Sequence, residues 1–62
     1  MTSVQVALSL DEDTAYALAE LCKRIPFSDA RSNAVDDSEA YRMLEALDNV
    51  RKGLEGAGVY VR

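Results

Sequence analysis

Polar and apolar positions alternate through residues 3–10, Ser-Val-Gln-Val-Ala-Leu-Ser-Leu. Val4, Val6, Leu8 and Leu10 share one face, and Ser3, Gln5, Ala7 and Ser9 share the other. That is the period-two signature of a strand with one buried side. From Asp11 the period lengthens. Ala15, Ala17, Leu18, Ala19, Leu21, Cys22 and Ile25 form a wide apolar arc on a helix running to about Ile25. Asp11, Glu12 and Asp13 open it and Lys23 and Arg24 close it, each sign at the end the helix macrodipole favours. The arc is wide enough to pack on a sheet at one flank and on a second helix or a partner chain at the other. Pro26 prevents continuation and disfavours helical geometry at Ile25.

The strongest helical pattern spans residues 36–54. Ala40, Met43, Leu44, Leu47, Val50 and Leu54 recur at three-and-four spacing on one face. Ala40, Leu47 and Leu54 fall seven apart, as do Met43 and Val50, so the stripe also fits a two-heptad seam. Asp36 stands at the cap position with Glu39 three residues on, the spacing of a capping box, and Val35 precedes it as a hydrophobic staple. Gly53, Gly56 and Gly58 offer ways to stop the helix. Residues 27–35 show no clear alternation. They read as an irregular link or a single turn capped by Ser28 and running through Asn33, with Phe27, Ala34 and Val35 as anchors to the core. Val59-Tyr60-Val61 has β-favouring composition and reads either as a short last strand pairing with the first or as a frayed tail. These elements predict one α+β domain over residues 1–62, β-α-α(-β), with two antiparallel helices packed on a small antiparallel sheet.

Composition narrows the chemistry. The 62 residues carry seven Lys and Arg against eleven Asp and Glu, a net charge of −4, and 48% are hydrophobic. That is a globular balance, and it argues against direct nucleic-acid binding, which needs clustered cations on the phosphates. With one cysteine and no histidine, there is no intrachain disulfide, no usual zinc ligand set and no histidine general base. A chain this short has a marginal core, which leaves self-association as a further source of stability. The start has no positive n-region or long apolar core, and no stretch approaches a membrane span, so a cytoplasmic protein without membrane contact is expected.

Two acidic clusters are the candidate partner-binding residues: Asp11, Glu12 and Asp13, and Asp36, Asp37 and Glu39. Both sit at predicted helix starts, where capping and dipole physics already favour acids. With antiparallel helices they would lie at opposite ends of the molecule. Glu45, Asp48 and Glu55 are interleaved with Arg42 and Lys52, the pattern of a solvated face. The Asp-Asp-Ser-Glu run at 36–39 lacks the ligand ladder and glycine turn of a calcium loop. Cys22, on the apolar arc, reads as a buried inert thiol. Tyr16 and Tyr41 fall at the border of apolar faces, and with Arg31 and Arg42 nearby they have the composition of a binding hot spot as well as of a core margin. No catalytic residue, cofactor or metal is expected.

Two functional classes follow. The order strand-helix-helix describes a ribbon-helix-helix dimer, whose paired strands read the major groove with their polar face. Here that face would be Ser3, Gln5, Ala7 and Ser9, with no Lys or Arg, so a DNA-binding regulator is the alternative. The leading class is a non-enzymatic acidic module that binds a protein partner with a basic surface. The runs Ala17–Arg31 and Ala34–Met43, with Val50-Arg51 and Gly56-Ala57-Gly58, resemble a family of short uncharacterised proteins from bacterial genomes and mobile elements, which implies no particular activity. In size, charge and lack of catalytic groups the chain is also similar to small acidic phage anti-CRISPR proteins. That similarity implies an inhibitor occupying the nucleic-acid-binding surface of a host CRISPR effector, with the six clustered acids as its contacts. A homodimer through an exposed edge or the heptad seam is compatible with either class.

Overall fold

Three helices follow an N-terminal arm in the computed structural model, which describes residues 2–61. Helix α1 spans Glu12–Arg24, α2 spans Phe27–Ser32 and α3 spans Asp37–Gly56. Helix α3 packs against both of the others. Glu12, Ala15 and Leu18 share a groove with Val50 and Leu54, whereas Ile25 shares another with Met43 and Leu47, so α1 runs antiparallel to α3.

Each helix ends where local chemistry dictates. Asp11 caps α1, its Oδ1 accepting the Thr14 N–H at 2.7 Å. Ile25 closes α1 by donating to the Leu21 carbonyl, and Pro26 follows. Pro26, not Ser28, occupies the N-cap position of α2, its missing N–H costing nothing there. The link expected to be irregular or one turn long is thus a six-residue helix. At its end Ser32 Oγ and Asn33 Nδ2 both donate to the Asp29 carbonyl. At the far end of α3, Gly58 has φ +92°, and the Gly58 N–H donates to Glu55 O and the Val59 N–H to Leu54 O. This is a Schellman closure with glycine in the left-handed position. Gly53 and Gly56 lie inside the helix.

The expected α+β architecture, β-α-α(-β) with an antiparallel sheet, does not form: among the described residues there is no strand. The reason is the lack of a pairing partner. The Val59 N–H is taken by the closure of α3, which ties the start of the last segment to the helix end. The arm 2–10 makes no backbone hydrogen bond to another described residue. Its side chains still alternate, since Val6, Leu8 and Leu10 line one groove. The aliphatic face expected to be buried is largely in water, with Val4, Val6 and Leu8 exposed at 83%, 74% and 68%.

The core lies in the seams along α3 and is made of small residues. Ala15, Ala19 and Cys22 of α1, at i, i+4 and i+7, are buried with Ala30 and Ala40. Ala19 and Ala40 are fully enclosed, and among the described residues no large side chain is. Met43, Leu44, Leu47 and Leu54 are half-buried. Two expected anchors lie outside the core. Phe27 is partly exposed and stacks on Tyr41, ring centroids 4.9 Å apart, instead of entering the seam. Val35 is 81% exposed and staples nothing.

The molecule is flattened: its backbone extends 34 × 29 × 14 Å. Its radius of gyration is 12.5 Å, against about 10.6 Å for a compact chain of this length. Its accessible surface is 5000 Å², where a folded monomer of 6.8 kDa should expose about 3,950 Å². The chain thus leaves roughly 1,000 Å² uncovered relative to that scaling.

Candidate interaction surface

The acidic residues are placed by helix ends. Asp36 Oδ1 accepts the Glu39 N–H at 2.8 Å, and Glu39 Oε1 accepts the Val35 N–H at 3.1 Å. The box therefore closes one residue further out than the usual form, on the residue before the cap. Asp37 Oδ1 accepts from Arg31 Nε at 2.7 Å, and Arg31 Nη1 donates to the Ala34 carbonyl at 3.1 Å. Arg31 thus clasps the end of α2 to the start of α3. Asp11 caps α1, while Glu12 and Asp13 stand exposed in its first turn. Each cluster is brought together within itself, and the two are not brought to each other. Cluster 11–13 sits near the end of α3 and cluster 36–39 at its beginning, about 30 Å away along a 20-residue helix.

The cations are mostly engaged too. Arg24 pairs with Glu20 at 3.0 Å, and Asp48 takes Arg51 at 2.7 Å on one oxygen and Lys52 at 3.0 Å on the other. The hydrogen bonds from Arg51 and Lys52 hold the Asp48 carboxyl below its ordinary range, and the Thr14 bonds do the same for Asp11. Both groups are more acidic folded than unfolded. Their contribution is present above the ordinary carboxylate pKa and is lost as pH falls through their depressed values. Urea midpoints should therefore stay level near neutrality and drop on acidification below the usual carboxylate range. Asp48→Asn should flatten that drop, and an unchanged acid limb would remove Asp48 from the account.

Burial pushes the Cys22 thiol up, with nearby Arg51 offsetting it only in part. A thiol held protonated in the α1 seam is a packing group. Among the described residues no three His, Cys, Asp or Glu side chains gather to hold a metal ion, and no helix is long and apolar enough to cross a membrane.

The surface left over is apolar. A groove of about 680 Å³ opens between the arm and the α1–α3 pair, walled by Val6, Leu8, Leu10, Leu18, Val50 and Leu54. A smaller one of about 340 Å³ lies between α2 and α3, over Ile25, Ala30, Met43 and Leu47. The sequence marks the acidic clusters as the contact residues and the arm as a strand with one buried side, whereas the structure leaves that side in water. A signal for this was nonetheless present, as an alternating aliphatic run with no second run of comparable length to pair with.

An all-α chain with two capped helices joined by a short third, carrying an open aliphatic groove, is the class these features define. Residues 1–62 match the model of a family of unknown function (DUF7706), and the chain belongs to that family. Comparison with curated proteins and with solved structures gave no match.

Proposed function

We propose that this protein is a non-enzymatic module that works by binding another protein chain. The observation that carries the reading is the uncovered surface: an all-helical layer whose aliphatic arm and groove face water. Large exposed apolar patches of this kind belong to interaction sites. The more specific form is an anti-CRISPR-like inhibitor from a phage or mobile element, set against the basic nucleic-acid surface of a CRISPR effector. The net charge of −4 supports it, and Glu12 and Asp13, exposed in the first turn of α1 and not used in its cap, are its best-placed contacts. Asp11, Asp36, Asp37 and Glu39 would bind a partner with oxygens already engaged in capping and the Arg31 clasp.

The order arm-helix-helix favours the ribbon-helix-helix regulator as a second reading. The neutral outer face of the arm and the paired Arg24, Arg31, Arg51 and Lys52 weigh against it.

The test is a pull-down with the tagged chain at low and then high salt, run beside Glu12→Lys/Asp13→Lys, which touches neither cap. A partner lost at high salt and in the charge-reversed variant supports the electrostatic inhibitor. A partner that survives both supports binding through the apolar face. Recovery of DNA alone favours the regulator, and recovery of no macromolecule overturns the module.

A further inference from the structure

The arm carries no charge and its aliphatic face lies over a large groove in which Glu12 is the one charged lining residue, too much apolar surface to leave in water. We propose that a second copy of this chain covers them, the two arms lying antiparallel across a two-fold axis over the grooves of both copies. This inference rests on the same uncovered surface as the binding-module reading and names its occupant as a second copy, so a different partner would meet the acidic face left outside; sedimentation of the pure chain tests the dimer apart from that reading.

Area is the first argument. The excess over the expected monomer surface is about 1,000 Å² per copy, so covering it on both copies removes about 2,000 Å². That is where standard interfaces give way to those of obligate homodimers.

Charge is the second argument, and it selects this occupant. Residues 2–10 carry no charged side chain, in a chain where 29% of residues are charged. Like charges placed opposite one another destabilise paired segments. A segment meeting its own copy gains from having none, whereas a segment built to meet a basic partner would carry acids. Every acid lies at Asp11 or beyond, so two copies, each with net charge −4, can join without stacking their carboxylates along the arm.

Geometry is the third. The arm's backbone groups have no partner among the described residues, and Val6, Leu8 and Leu10 already turn toward the groove. An open edge of this kind is a template for a second chain. An isologous contact uses the same patch twice: the Val4–Leu10 aliphatics of one copy lie beside those of the other, above Leu18, Val50 and Leu54.

Sedimentation velocity on the full chain, from low-micromolar to near-millimolar concentration, should show a species of twice 6.8 kDa. Val6→Glu/Leu8→Glu should weaken the dimer by about a hundredfold or more, because the symmetry buries two unpaired carboxylates from each copy. Should that variant unfold, cross-linking reads the same contact. Ala7 is the midpoint of 4–10, so Ala7→Cys in a Cys22→Ala background should oxidise readily to a covalent dimer, while the exposed Glu45→Cys control should not. A helical wild type that stays at 6.8 kDa throughout overturns the proposal. So does a dimer that persists undiminished in Val6→Glu/Leu8→Glu, or a cross-link at Ala7→Cys no faster than at the control.

Discussion

Ala19→Leu should destabilise the chain by about 1–3 kcal/mol, the usual range for overpacking a tight seam. Ala19 is fully enclosed on α1, one turn from Ala15 and three residues before Cys22, so the small side chains set how closely α1 approaches α3. Leucine adds three carbons with no cavity to take them. Relief requires the helices to part, which strips contact from Leu18, Leu47 and Leu54, already half-buried at best. The loss is large against the whole, since 62 residues at typical values give roughly 3–9 kcal/mol of stability. Urea unfolding at one fixed protein concentration should show a lower midpoint with the slope unchanged. Leu21→Ala, on the same helix but exposed, should move the midpoint by less than about 0.5 kcal/mol. If the two substitutions cost the same, the alanine seam is not what fixes the helix spacing.

That seam was hard to see in the sequence because periodicity weights large side chains. Ala40, Met43, Leu44, Leu47 and Leu54 do mark the inner face of α3, yet the fully enclosed residues are alanines, which a pattern of bulk underrates. The starts of the two long helices are more legible, because caps are local: Asp11 and Asp36 accept the N–H groups three residues on, whereas the cap expected at Ser28 falls to Pro26 and the staple expected at Val35 stays in water. Gly58, rather than Gly53 or Gly56, closes α3, and only its own left-handed backbone, φ +92°, tells the three apart. The arm was misread for a physical reason. Alternation reports that one side of a segment wants burial, but a strand exists only with a neighbour, and the single chain has none to give. The acidic clusters were legible as helix starts; that Asp37 belongs to a clasp with Arg31 depends on α2 ending beside α3, which spacing does not encode.

Gly53→Ala/Gly56→Ala should stabilise the protein by about 1–2 kcal/mol, since each glycine inside a helix costs roughly 0.5–1 kcal/mol relative to alanine. A Cβ at either position meets nothing within 4 Å, so no clash offsets the gain. In thermal unfolding the melting temperature should rise by about 4–8 °C for each kcal/mol. Gly58→Ala must go the other way, by about 1 kcal/mol or more, although its Cβ also meets open space: φ of +92° is the strain. The contrast separates propensity from backbone geometry within six residues. It also bears on why α3 tolerates two weak positions in its last turns. Gly53 lines the groove beside Val50 and Leu54, and a bare backbone there lets an opposing chain approach closely. Gly56 is exposed and lines neither groove. Measured singly, then, both alanines should raise stability in dilute solution, but only Gly53→Ala should loosen the dimer. Equal effects on association from the two would place the interface away from the end of α3.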